Sequence, residues 1–276
     1  MSATTSSDPA LTLAHAFARC REEGRAALIP YVTAGHPSPE VMPEVLRMLA
    51  DEGADVIELG IPFSDPLADG PTIQRSSYEA IERGVDMRWT LDVLATFRAE
   101  RDTPVVLFTY LNPILRYGVD AFLRDAAAAG AQGVLVTDLP VGADPELEGA
   151  FAASPLDLIR LIAPTTLPER VREIAAAGRG FLYYVSRTGV TGARQELKDG
   201  LAREVEEVRA VTPVPVAVGF GISTPAQAAV VAQVADGVVV GSALVDRLGR
   251  EGVEGARALV SGLRQATRRT ADGSAA

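Results

Sequence analysis

The chain has 276 residues, 47% of them hydrophobic, with a formal net charge of -10 and an isoelectric point near 4.8. That composition supports a substantial core, and the acidity excludes a nucleic-acid or anionic-membrane surface because no basic cluster offsets it. No apolar run approaches the roughly 20 residues that cross a bilayer, and the polar, acidic start from Met1 to Ala10 is unlike a secretion signal, so a cytoplasmic location is expected.

Three scarcities remove whole mechanisms. One cysteine, Cys20, leaves no internal disulfide and no thiolate-rich metal site. Two histidines, His15 and His36, are too far apart to suggest a zinc set. A Schiff base to a carbonyl substrate or to pyridoxal phosphate would have to use the only lysine, Lys198. Its surroundings, Gln195 to Gly200, read as a solvated loop rather than the apolar pocket that lowers a lysine pKa. Neither a cofactor nor a metal is expected in this chain.

In chain order, a leading amphipathic helix carries His15, and eight short apolar runs follow, separated by longer helical patterns. The runs are Ala27–Val32, Asp55–Leu59, Val105–Thr109, Gly133–Val136, Leu158–Leu161, Gly180–Tyr184, Val216–Gly219 and Gly237–Val240. Each is nearly continuous in apolar residues, as strands covered on both faces are. Small-residue turns precede three of them, at Gly53-Ala-Asp55, Gly130-Ala-Gln132 and Val234-Ala-Asp236, where a helix closes before a strand. Helix starts are expected at Ser38-Pro39-Glu40, Asp144-Pro145-Glu146 and Thr224-Pro225, each joining a capping side chain to proline. Eight βα units in this length describe a single α/β domain, a (β/α)8 TIM barrel with an extra N-terminal helix and a short extra helix after strand eight. A doubly wound open sheet is the competing arrangement, since the same alternation serves both. Residues 1–7 and those from about 270 to 276 are small or polar and are expected to be disordered.

Chemistry concentrates where strands end, because the carboxyl ends of barrel strands and the loops after them form the active face. The densest segment runs from Glu58 through Asp65 and Asp69 to Gln74. Glu58 follows the apolar Val56-Ile57, so desolvation should raise its pKa into the range useful to a proton donor. After strand six, Tyr183 to Gly192 carries glycines and hydroxyls suited to a closing lid, with Arg187, Thr188 and Gly189 at its centre. After strand seven stands Gly219-Phe-Gly221, and after strand eight Gly241-Ser242 opens a short helical pattern reaching Leu248. Glycines beside helix N-termini at those two positions make a backbone anion site that needs no lysine. Asp138 ends strand four and either lines the pocket or caps the next turn. His36, beside Pro37, reads as a turn residue, and His15 as structural.

Taken together, the Glu58–Gln74 segment, Ser186-Arg-Thr-Gly-Val-Thr-Gly192 and Gly219-Phe-Gly-Ile222 resemble the tryptophan synthase alpha subunit family, over about residues 11 to 268. The resemblance implies retro-aldol cleavage of indole-3-glycerol phosphate to indole and glyceraldehyde 3-phosphate. Under it, Glu58 matches the acid-base glutamate and Asp69 the aspartate that holds the indole nitrogen. Tyr183 and Thr191 match pocket and lid positions, and Gly192, Gly221, Gly241 and Ser242 match phosphate-binding positions. Tyr31 stands where the family often has phenylalanine in the indole pocket. Also implied are an α2β2 complex with a beta subunit that carries pyridoxal phosphate, and an Ile61–Pro71 loop near that interface.

The chemistry is consistent with the scarcities, because protonated indole accepts the electrons of the breaking bond without lysine or metal. Other readings remain: another phosphate-binding barrel of amino-acid biosynthesis, a non-catalytic regulatory subunit that binds phosphate ligands, and a stand-alone lyase that releases indole.

Overall fold

In this computed structural model, residues 12–186, 194–219 and 221–269 are described, with the side chains of 194–199 excepted. Eight parallel strands close in chain order: β1 (Ala27–Thr33), β2 (Ile57–Gly60), β3 (Val105–Thr109), β4 (Gly133–Val136), β5 (Asp157–Ile162), β6 (Leu182–Val185), β7 (Val216–Gly219) and β8 (Gly237–Val240). β8 returns to β1 with Gly237 opposite Ala27 and Val240 opposite Pro30, so the sheet is a barrel and not an open sheet. The expected strands all form, with ends shifted by one or two residues at β1, β2, β5 and β6.

Alternation along each strand sorts the side chains into two cores. Leu28, Ile57, Leu59, Leu107 and Val218 point outward under the helices. Ile29, Val56, Val106, Leu135 and Ala217 fill the barrel. Helix α1 (Leu13–Glu22), capped by the Thr12 hydroxyl accepting from the His15 N–H, closes the bottom. Its Leu13, Phe17 and Cys20 join the interior cluster, with Phe17 5.5 Å from Phe181 between ring centroids, and His15 stays on the exposed face. Truncating Phe17 would open that base at a cost of about 3–5 kcal/mol.

The outer layer comprises α2 (Met42–Asp51), α3 (Pro71–Glu82), α4 (Met87–Glu100), α5 (Leu111–Tyr117), α6 (Val119–Ala128), α7 (Pro145–Ala153), α8 (Pro168–Ala176), α9 (Arg194–Arg209), α10 (Pro225–Ala232) and α11 (Ser242–Ala266). Two expected starts hold. Asp144 accepts from the N–H groups of Glu146 and Leu147, and Thr224 forms a reciprocal capping box with Gln227. The third does not: Ser38 gives its hydroxyl to Glu40 at 2.6 Å, and α2 begins only at Met42, after Val41.

The Gln195–Gly200 stretch around Lys198 is not a loop but part of α9. Two helices, rather than one, follow both β2 and β3, separated by Gly84 at φ +84° and Gly118 at φ +95°. The short helix expected after β8 is the first half of α11, which breaks at Gly252, where φ is +67° and ψ is -165°.

Candidate active site

β2 carries Glu58 on the same face as Val56, so it points into the barrel, in register with Tyr31 of β1 and Val106 of β3. It is 1% exposed, and its Oε1 has no hydrogen-bond partner. Burial alone pushes its carboxyl up to about 8, so the group is largely protonated at neutral pH.

Asp69 lies in the loop between β2 and α3. The Tyr110 hydroxyl donates to Asp69 Oδ2 at 3.0 Å and accepts from the Ala68 N–H at 3.0 Å, while Gln74 Nε2 donates to the Asp69 carbonyl at 2.9 Å. Burial raises the Asp69 carboxyl to about 6 against the lowering effect of the Tyr110 bond. The two carboxyls therefore hold opposite protonation states near pH 7, the arrangement that separates an acid from a fixed anion.

Tyr31 and Tyr183 are also interior. Burial keeps both phenols neutral, and the nearby Glu58 and Asp69 carboxyls reinforce this. Each hydroxyl packs against a glycine, Tyr31 on Gly60 and Tyr183 on Gly219, where a Cβ would collide with it. Gly219, read in the sequence with the anion loop, thus serves to admit Tyr183.

Tyr31, Asp69, Gly221, Gly241 and Ser242 come together on the wall of one cavity of about 180 Å³. Gly221 adopts φ +74°, a conformation that side chains other than glycine resist. Ser242 opens α11, and the N–H groups of Ser242 and Ala243 precede the first intrahelical bonds, which Leu244 and Val245 make to the Gly241 carbonyl, so those two present donors and a favourable dipole to an anion. Glu58 and Tyr183 are not on that wall; they lie buried in the barrel interior. Arg187, Thr188, Gly189, Thr191 and Gly192 lie outside the described residues.

Sequence reasoning missed Tyr110, Phe108 and Ile73. Phe108 stacks edge-on against Tyr31 at 5.2 Å, and Ile73 joins them with Val245 in an apolar cluster. Tyr110 follows β3 at its carboxyl end, so the positional rule applied to Glu58 and Asp138 would have found it. Asp138 is a cap: its Oδ1 accepts from the Leu111 N–H at 2.7 Å, at the start of α5. Among the described residues, no group of three His, Cys, Asp or Glu side chains is placed to hold a metal, and no helix is long and apolar enough to cross a membrane.

The fold and this site define a (β/α)8 barrel of the enzyme kind, with a proton-holding carboxyl buried inside the barrel and an anionic carboxyl and an anion-receptive helix end on the wall of one cavity. Residues 17–273 match the family model for the tryptophan synthase alpha chain. The chain is 51% identical to a tryptophan synthase alpha chain from Acidiphilium cryptum, over 86% of each chain. It is 50% identical to one from Chloroflexus aggregans, over 92% of this chain and 97% of the other. A crystal structure of tryptophan synthase from M. tuberculosis superposes with a TM-score of 0.86 at 41% identity, over 95% of this chain and all of that one. The chain belongs to the tryptophan synthase alpha chain family.

Proposed function

We propose that the chain cleaves indole-3-glycerol phosphate by a retro-aldol reaction and passes the indole to a pyridoxal-phosphate beta subunit, in an α2β2 complex in the cytoplasm. The observation that carries this reading is Glu58, a buried carboxyl without a partner on Oε1 and largely protonated at neutral pH.

In the proposed reaction, Glu58 delivers a proton to indole C3, which turns the ring into an acceptor for the electrons of the breaking carbon–carbon bond. The proton on the neighbouring glycerol hydroxyl passes to the Glu58 carboxylate left by that transfer, directly or through water, as the carbon–carbon bond breaks and the aldehyde forms, which returns Glu58 to its protonated state. Ionised Asp69 accepts from the ring N–H and stabilises the positive charge as it develops. Tyr31 and Phe108 supply the apolar wall for the ring, with Tyr183 beneath. Gly221, Gly241 and Ser242 receive the phosphate on backbone N–H groups, together with Thr191 and Gly192, while Arg187, Thr188 and Gly189 belong to the lid. The beta subunit is assigned to the side of the Ile61–Pro71 loop, where Leu67 is 84% exposed. Pyridoxal phosphate belongs to that partner, not to this chain.

The test measures indole release from indole-3-glycerol phosphate by the purified chain, alone and with a cognate beta subunit. Release that rises with the partner and falls by about 100-fold or more in Glu58→Gln supports the reading. Substrate binding without indole release, even with the partner, replaces it with a regulatory subunit.

A further inference from the structure

A second cavity, of about 380 Å³, opens between α3 and the first half of α11. The apolar cluster of Tyr31, Ile73 and Val245 stands between it and the substrate cavity. Its floor is His36, 7% exposed. The ring Nε2 lies 3.0 Å from the Val245 carbonyl, which can only accept, so Nε2 carries the proton. Burial holds the imidazole below its ordinary pKa and therefore neutral. Nδ1 is left with a lone pair, and it is buried without a hydrogen-bond partner. Removing such an acceptor from water without compensation is costly.

Of the four charged side chains lining the cleft, two pair with each other and two, the exposed Arg75 and the 39% exposed Glu79, face solvent; outside the lining, Arg83 donates to the Pro37 carbonyl. Asp246 and Arg250 pair with each other on α11 at 3.4 Å. On α3, Arg75 makes no hydrogen bond or ion pair among the described residues. Glu79 Oε2 stands 3.8 Å from His36 Nδ1, beyond hydrogen-bond length but close enough for one donor group to serve both. Gly249 keeps the space open, because a Cβ there would press to 3.3 Å from the imidazole.

One free cation, one free anion and one buried acceptor beside that anion fit a ligand with both charges. We propose that the cleft between α3 and α11 binds a small zwitterion of the α-amino-acid class. Its carboxylate is taken by Arg75, and its ammonium is shared between Glu79 and His36 Nδ1. A simple anion would satisfy Arg75 but meet Glu79 and a lone pair with no proton to give them; a simple cation would leave the guanidinium unanswered.

Isothermal titration of the purified chain with glycine, L-serine and L-tryptophan, and with acetate and ethylamine as the separate halves, tests this. At least one amino acid is expected to saturate the site about tenfold more tightly than either half. Its affinity is expected to fall about tenfold in Arg75→Ala and again in Glu79→Gln. Neither residue contributes to the folded core, and circular dichroism of both variants should overlay that of the parent. Acetate binding as tightly as the amino acids, affinity unchanged by both substitutions, or no saturation by any amino acid below about 10 mM overturns the proposal. Binding is read without catalysis, so failure here leaves the lyase assignment standing, and the reverse holds too.

Discussion

The Tyr110 hydroxyl lies between two groups of one loop, donating to Asp69 Oδ2 and accepting from the Ala68 N–H, each at 3.0 Å. That bond is what opposes the upward push of burial on Asp69, whose carboxyl stands at about 6. Tyr110→Phe removes it, so the Asp69 pKa rises and less of the carboxylate is ionised at a given pH. If ionised Asp69 is needed, the acid limb of the kcat/KM profile should move upward by about one pH unit. Activity should then fall more at pH 6 than at pH 8. A profile that drops evenly at all pH values would mean that Tyr110 does not act through Asp69.

Burial of Glu58 predicts a pH-dependent stability. A carboxyl raised from 4.5 to about 8 by folding favours the native state while protonated; that contribution is complete below 4.5 and is lost as pH rises through 8. Glu58→Gln keeps the shape and cannot ionise. Urea unfolding should find the variant gaining on the parent from pH 5 to pH 9, with a difference of roughly 4 kcal/mol as an upper bound. A difference that does not vary with pH would contradict the assignment.

At the other end of the barrel, Arg25 and Asp55 form a buried pair, 4% and 2% exposed, with guanidinium–carboxylate contacts of 2.6 and 2.8 Å. Asp55 Oδ2 also accepts from the Leu28 N–H at 2.9 Å, tying the pair to β1. Asp55→Ala leaves the buried guanidinium with the half-exposed Glu23 carboxylate as its one remaining anionic partner and should cost about 3 kcal/mol in thermal or chemical unfolding. Far from the substrate cavity, the substitution should leave kcat of the folded fraction unchanged.

Ser242→Asp separates anion binding from stability. A carboxylate at the start of α11 suits the helix dipole, so unfolding should move little. Facing a bound phosphate, the same charge should raise KM for indole-3-glycerol phosphate by about tenfold or more, with kcat less affected. An unchanged KM would place the phosphate elsewhere.

Much of this architecture is legible one residue at a time. The runs that become β3, β4, β7 and β8 can be read to the residue, because strands covered on both faces are apolar without interruption. Thr224 and Asp144 announce their helices because a cap is a contact within four residues. Ser38 misleads for the same local reason: the same Ser-Pro-Glu pattern also serves a turn in which the hydroxyl bonds to Glu40.

What the sequence determined by itself is the run of eight βα units, the scarcity of lysine, histidine and cysteine, and the candidacy of Glu58 and of the carboxylate-bearing loop after it, since periodicity, composition and position at or after a strand's end are properties of the chain; that the sheet closes, β8 onto β1, is decided by the fold. Tertiary structure alone decided that Tyr110 restrains Asp69 from 41 residues away, that Gly219 makes room for Tyr183, and that Asp138 caps α5 instead of lining the cavity. Each depends on which strands lie side by side once the barrel closes, and the desolvation that raises the two carboxyl pKa values exists only in the folded molecule.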